Sequence, residues 1–219
     1  MANLTVIEFY FDPISPYSWL AARQCDRLDA AGVRLDFRPM LFAGLLAAHD
    51  NKGPAEMPAK RAYTMRDVLR VAAQLGLPIK GPPTHPFNPL RALRMCTALD
   101  DAVERRRFGT ALLDGAWTHG LDLADDRVLV GLANECGLDG AALLGRAGAA
   151  DIKRRLIEAT DAAVATGVFG VPTFRIDGEI YWGADRIDAL LWRLQGNRVD
   201  EARLAAVLAR PASAARKPA

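Results

Sequence analysis

Thr5-Val6-Ile7-Glu8-Phe9-Tyr10-Phe11, followed by Asp12-Pro13-Ile14 and then Ser15-Pro16-Tyr17-Ser18-Trp19-Leu20, reads as strand, turn and helix. The first run is rich in β-branched and aromatic side chains, and Asp-Pro ends it with turn chemistry. Ser15 stands at the N-cap and Pro16 at the first helical position, where a missing N–H leaves no bond unmade. Tyr17, Leu20, Ala21, Gln24, Leu28 and Ala31 recur at helical spacing, which predicts one mostly apolar face lying on a sheet. Gly32 suits a C-cap, and Val33-Arg34-Leu35-Asp36-Phe37 alternates as a half-buried strand does. The chain therefore opens β-α-β, and a right-handed crossover makes the two strands parallel.

From about Leu41 to Gly167 the period is helical. Met65, Val68, Ala72 and Leu75 fall on one face, as do Val128, Leu132 and Cys136, while Gly and Pro clusters at Gly53-Pro54, Gly76-Leu77-Pro78 and Gly81-Pro82-Pro83 separate the segments. At Val171 the pattern changes back. Val171 to Ile176 is a strand that begins with proline, Asp177-Gly178 is a hairpin turn, and Glu179 to Trp182 is the returning strand. Gly183 ends it, and Asp185 opens a helix containing Ile187, Leu190, Leu191 and Leu194. The predicted fold is α/β, with a sheet domain of residues 1–40 and 168–200 split by an all-helical insertion of residues 41–167, holding roughly five to seven helices. Residues 211–219, rich in Pro, Ala, Lys and Arg, read as a disordered tail.

Composition narrows the function. The 219 residues carry 28 basic and 26 acidic side chains, so no global charge draws the chain to nucleic acid. Arg105-Arg106-Arg107 reads as a solvated helix face rather than a phosphate site. No apolar run approaches the ~18 residues of a membrane span, and the N-terminus lacks the regions of a secretory signal. Cys25, Cys96 and Cys136 are too scattered for a disulfide framework or a metal site. They are read as small buried hydrophobes in a reducing cytoplasm, and no metal is expected.

On residue type alone, Ser15 is a helix cap worth ~1 kcal/mol, Pro172 a strand-initiating proline, Asp185 a helix cap, and Asn88 either a cap or a polar group of a site. A serine-hydrolase reading fails because no G-x-S-x-G frames Ser15, and His49, His85 and His119 lack the context of a base.

Phe11-Asp12-Pro13-Ile14-Ser15-Pro16-Tyr17-Ser18 resembles the opening of the 2-hydroxychromene-2-carboxylate isomerases, relatives of kappa-class glutathione transferases. Asn51-Lys52-Gly53-Pro54, His85-Pro86-Phe87-Asn88-Pro89-Leu90-Arg91, Gly170-Val171-Pro172-Thr173-Phe174 and Trp182-Gly183-Ala184-Asp185-Arg186 continue the resemblance in the family's order. It implies a thioredoxin-like fold, glutathione as cofactor, a small aromatic substrate and a homodimer. Thioredoxin-like redox proteins carry Cys-x-x-Cys where this chain has Ser15-Pro16-Tyr17-Ser18, and disulfide exchange needs both sulfurs. A borrowed thiol would serve instead.

By resemblance, Ser15 meets the glutathione sulfur. A thiol of pKa ~8.5 is only ~3% thiolate at neutral pH. A helix terminus (roughly 0.3–1 kcal/mol) and a hydrogen bond to charge (roughly 1.5–3 kcal/mol) together lower that pKa by about 1–3. The resemblance also makes Val171–Pro172 a cis peptide facing the Ser15 helix, gives Val171 the cysteinyl backbone, and gives Trp182, Gly183, Ala184 and Asp185 the γ-glutamyl end. Ala184 stands where relatives often have a polar side chain. Asn51, Lys52 and Asn88 are implied to face the substrate. The lysine some members place just before the Asn-Lys pair is missing, leaving Lys52, Arg61 or Arg91 for a substrate carboxylate. Phe42, Tyr63 and Trp117 are candidate walls for an aromatic ring. The activity implied is a glutathione-dependent isomerase, with a kappa-like transferase or a glutathione-dependent binding module as alternatives.

Overall fold

In a computed structural model that describes residues 4–211, the opening stretch forms strand β1 (Val6–Phe11) and helix α1 (Pro16–Ala22). The single helix expected up to Gly32 is two. Backbone bonds from Gln24 N to Ala21 O and from Cys25 N to Ala22 O tighten the chain into a 3-10 step, and a short α2 (Asp26–Asp29) follows. Strand β2 (Arg34–Pro39) then pairs parallel with β1, Phe9 standing opposite Phe37. After the insertion, β3 (Thr173–Ile176) runs antiparallel to β1 and β4 (Glu179–Trp182) antiparallel to β3, giving the order β2-β1-β3-β4. Asp177 and Gly178 both take positive φ, as a two-residue hairpin turn requires.

The two faces of β1 face different layers, because alternate side chains point opposite ways. Ile7, Phe9 and Phe11 are wholly buried on one face, where Phe9 packs against Phe37 and Phe174 at ring-centroid distances of 4.8 Å each. Fully burying such a side chain contributes about 1.5–3 kcal/mol. Glu8 and Tyr10 point the other way, into a polar cluster with Arg38 and Arg175.

Between β2 and β3, among the described residues, lie seven α-helices: α3 (Phe42–Ala48), α4 (Pro58–Gln74), α5 (Leu90–Thr97), α6 (Ala102–Trp117), α7 (Asp126–Glu135), α8 (Gly140–Ala147) and α9 (Ala150–Ala165). Val68 and Ala72 are buried on α4 and Leu132 and Cys136 at the end of α7, following the predicted periodicity. Helix α6 lies directly on the sheet. Gly109 permits this, since a Cβ there would stand 2.8 Å from Phe11 Cζ. The arginine run of α6 departs from expectation. Arg105 donates to Phe37 O and Leu99 O (2.9 Å each) and pairs with Asp36 (2.7 Å), and Arg106 pairs with Asp29 (2.8 Å). Arg105 thus staples the insertion to β2 and Arg106 to α2, while Arg107 is exposed as expected. All three cysteines are buried and unpaired, and burial pushes the Cys25 and Cys96 thiols up to about 12.

After β4, a 3-10 turn (Ala184–Arg186) leads into α10 (Ile187–Leu194), and an exposed α11 (Glu201–Leu208) follows. Asp200 caps α11 by accepting from Arg203 N at 2.9 Å, in a segment to which the sequence reading assigned no element. The expected tail lies, apart from residue 211, outside the described residues.

Candidate functional site

Ser15 caps α1 as its sequence suggests. Its backbone is extended (φ −89°, ψ 116°), and its Oγ accepts from Ser18 N at 3.2 Å. Accepting that bond leaves the hydroxyl hydrogen available to donate elsewhere. Three parts of the insertion hold the turn before it. Asp12 is wholly buried, its Oδ1 accepting from Ile14 N (2.9 Å) and its Oδ2 from Phe42 N (3.0 Å) at the start of α3. Trp117 Nε1, at the end of α6, donates to Pro13 O (2.9 Å), and His85 Nε2 lies 3.1 Å from Ile14 O. A carbonyl only accepts, so His85 must carry its proton on Nε2. Burial lowers its pKa, with the Ile14 bond opposing that fall.

A cavity of about 710 Å³ lies beside α1, its walls drawn from both halves of the chain. Tyr17 and Leu20 from α1 and Asp67 and Val71 from α4 face Val171, Pro172, Trp182, Gly183, Ala184 and Asp185. Of the sheet-side candidates, Val171, Pro172 and Trp182–Asp185 share this lining, whereas Ser15 is buried at the head of α1 and is not part of it. The Val171–Pro172 peptide is cis, and Gly183 N donates to Pro172 O at 3.0 Å, tying the end of β4 to the proline. Gln24 Nε2 donates to Ala184 O (3.2 Å), tying the same segment to α1.

Asp185 is not the helix cap that its position suggested. Helix α10 starts two residues later without a side-chain cap, and Asp185 sits in the 3-10 turn, paired with Arg186 at 3.0 Å. Its carboxylate folds back over Gly183, where φ is +122° and a Cβ would stand 2.4 Å from Asp185 Oδ1. Only glycine accepts both constraints. The amides of Ala184 and Asp185, at the start of this turn, precede any intrahelical acceptor.

The sequence reading missed the opposite wall. Tyr17 OH donates to Asp67 Oδ2 at 2.8 Å, and burial, then the Asp67 bond, hold the phenol above its ordinary range. Tyr17, Leu20 and Gln24 were legible as one helix face, but that face lines the cavity. Asp67 had no local signal, since its partner is fifty residues away.

The insertion candidates are elsewhere. Asn51, Lys52 and Asn88 are exposed and absent from the lining. Asn51 Oδ1 accepts from Lys52 N (2.9 Å), and Asn88 Oδ1 accepts from Leu90 N (3.0 Å) in a turn just ahead of α5, whose N-cap residue is Pro89. Arg61 donates to His85 O (3.1 Å), and Arg91 pairs with Asp126. Of the proposed aromatic walls, Trp117 is a buried anchor of the Ser15 turn, Tyr63 is 62% exposed, Phe42 is half-buried against a separate cluster, and none lines the cavity. Among the described residues no helix is long and apolar enough to cross a membrane, and no group of three or more His, Cys, Asp and Glu side chains is placed to hold a metal ion.

A family model described as the DSBA-like thioredoxin domain matches residues 6–195. The 2-hydroxychromene-2-carboxylate isomerase of Sphingobium xenophagum is 32% identical over 187 residues, covering 84% of this chain and 95% of that protein. Glutathione S-transferase kappa 1 of Rattus norvegicus is 27% identical over 204 residues, covering 86% of this chain and 90% of that protein. A solved structure of a 2-hydroxychromene-2-carboxylate isomerase shares the fold with a TM-score of 0.81 at 24% identity, covering 94% of this chain and all of that one.

Proposed function

Because the chain belongs to the DSBA-like thioredoxin family and is kin to the 2-hydroxychromene-2-carboxylate isomerases and kappa-class transferases, we propose that it is a glutathione-dependent isomerase of a small aromatic, conjugated substrate. One observation carries the reading. The cavity gathers the first turns of the Ser15 helix, the cis Val171–Pro172 peptide and the Trp182–Asp185 segment, and no cysteine lines it. A thioredoxin-like site without its own sulfur has use for an external thiol.

The residues present suit glutathione. The volume falls within the roughly 300–1,000 Å³ of small-molecule sites. The Val171–Pro172 backbone, just ahead of β3 in the cavity wall, suits a peptide's main chain. The leading amides of the Ala184–Arg186 turn and the carboxylate of Asp185 suit the carboxylate and amine of a γ-glutamyl group. When bound, glutathione would supply a thiolate able to add reversibly to a conjugated double bond, leaving a single bond free to rotate. Ser15 would donate its hydroxyl hydrogen to that sulfur and so favour the ionised form by about 1.5–3 kcal/mol. The tie from Gly183 N to Pro172 O keeps the two ligand-holding segments in register.

The test is the interconversion of 2-hydroxychromene-2-carboxylate and its ring-opened benzylidene-pyruvate isomer, followed by absorbance together with total free thiol. Isomerisation only when glutathione is present, at constant thiol, is the expected result. Thiol loss with conjugate formation would select the transferase reading, which the kinship to the rat kappa-class enzyme supports. Glutathione binding without either reaction would reduce the protein to a binding module for this substrate class.

A further inference from the structure

Asp12 is the one wholly buried carboxyl whose hydrogen-bond partners include no cation among the described residues. Asp36, also buried, has Arg38 and Arg105, both at 2.7 Å. Burying an unpaired charge is costly unless hydrogen bonds favour the charged form. Both donors here are backbone amides from different parts of the chain. Ile14 N belongs to the turn that delivers Ser15, and Phe42 N opens α3. The backbone of Asp12 adds a third bond, its carbonyl accepting from Ser15 N at 3.0 Å. One side chain thus joins the end of β1, the Ser15 turn and the first helix of the insertion.

We propose that Asp12 is a positioning residue: its carboxylate fastens α3 to the Ser15 turn, and its protonation releases one of the two amides it holds. The carboxylate offers a charged acceptor to each N–H group, whereas the neutral acid keeps one carbonyl oxygen and a hydroxyl oxygen that accepts far more weakly. Burial pushes the Asp12 carboxyl up to about 7, the two backbone bonds opposing that rise, so the switch operates near neutral pH.

The neighbouring titratable groups are engaged elsewhere. On β1, Tyr10 bonds Glu8, and on α1, Tyr17 bonds Asp67. His85 bonds Ile14 O and receives Arg61 on its carbonyl, while Asp114 of α6 accepts from Trp19 and Arg23. Helix α3 has no titratable side chain from Phe42 to Ala48, and His49 beyond it lies 3.4 Å from Val168 O. Helix α9 presents the uncharged Thr160, whose Oγ1 accepts from Leu41 N, and its nearest acids are Glu158 and Asp161.

The test uses the full chain and heteronuclear NMR from pH 5 to 9. The Ile14 and Phe42 amide signals are expected to titrate with one shared midpoint near neutrality, matching that of the Asp12 carboxyl carbon, and the titration should vanish in Asp12→Asn. Flat amides in the wild type would overturn the proposal. So would persistence of the titration in Asp12→Asn, which would assign it to His85. Phe42→Pro removes one donor at a first helical position where proline is tolerated, after a residue already extended (Leu41, φ −87°, ψ 108°). It should raise the Asp12 midpoint by about one to two pH units, and an unmoved midpoint would overturn the proposal even if Asp12→Asn does not fold. The effect on the ligand site rests on the glutathione reading, so S-methylglutathione, which has no thiol to titrate, is the probe. Its affinity should fall severalfold from pH 8 to pH 6 in the wild type and by less than twofold in Asp12→Asn. Equal wild-type affinity at both pH values would overturn the link to the site. Absence of binding at both would overturn the glutathione reading, while the amide titration still decides the role of Asp12.

Discussion

Val171, Pro172 and Trp182–Asp185, from the sheet side, converge on one cavity, whereas Asn51, Lys52 and Asn88, from the insertion, use their side chains on neighbours in sequence or turn them to solvent. The sheet-side residues sit together at the open end of a strand pair, where Thr173 stands opposite Trp182. The β3–β4 ladder and the Gly183–Pro172 bond leave that backbone little freedom. The insertion residues lie in connections whose polar atoms are satisfied locally. A ligand site can be anchored where long-range bonds set the backbone, and local turn chemistry competes with ligands for the same donors and acceptors.

The largest expected effect concerns the seam between the two regions. From pH 4 to 7 folded Asp12 retains a proton that the unfolded chain has released, so stability falls as pH rises through that window and the full cost is present above it. The rise from 3.8 to about 7 corresponds to about 4 kcal/mol at most. Denaturant unfolding of wild type and Asp12→Asn at pH 5 and pH 8 should show a pH-dependent component in the former that is missing in the latter. Equal pH dependence would place the charge of Asp12 in water.

Next comes Arg105→Met, which removes the staple between insertion and sheet. It leaves Phe37 O and Leu99 O without their donor and Asp36 with one partner of two, so a loss of about 2–4 kcal/mol is expected in the same measurement. A loss below about 0.5 kcal/mol would restore the solvated-face reading of the arginine run.

Ser15→Ala sharpens the comparison on the sheet side. Turnover with glutathione should slow about tenfold to hundredfold, with the pKa of the bound thiol raised and binding retained through the other wall. Thiolate absorbance titrated in both proteins checks this. Superimposable curves would leave Ser15 as a helix cap alone.

On the insertion side the effects are small. Asn88→Ala should cost about 0.5–1 kcal/mol through the lost bond to Leu90 N at the start of α5, read as a lower Tm. Lys52→Ala should change KM for a carboxylate-bearing aromatic substrate by less than twofold. A tenfold rise in KM would break the comparison, showing that the Lys52 segment reaches the ligand once it is bound.

The sheet was legible because period-two alternation and turn residues are local signals. β1, β2, the Asp177-Gly178 hairpin and β4 all lie within a residue or two of where the pattern places them. The break between α1 and α2 was not legible, because the apolar spacing from Tyr17 to Ala31 continues across it. Of the site, the Cys-free tetrad at Ser15 and the cis Val171–Pro172 peptide were readable through the resemblance, but spacing alone offered only a cap and a strand-initiating proline. Tyr17 was read as an apolar helix position and is instead a hydrogen-bonded wall of the cavity.

Sequence by itself determined the order of the strands and where a helical segment interrupts them, and that the tetrad at the head of α1 lacks sulfur, since these depend on residue type and near neighbours. Tertiary structure alone decided what each polar side chain does. Asp12 reads as turn punctuation until α3 closes over it, Arg105 as a solvated charge until Phe37 and Asp36 meet it, and Asp67 carries no signal at all until Tyr17 bonds to it. Burial and hydrogen-bond partnership are set by residues far away in the chain. The free energy of a carboxylate or guanidinium depends on those two quantities more than on its own identity.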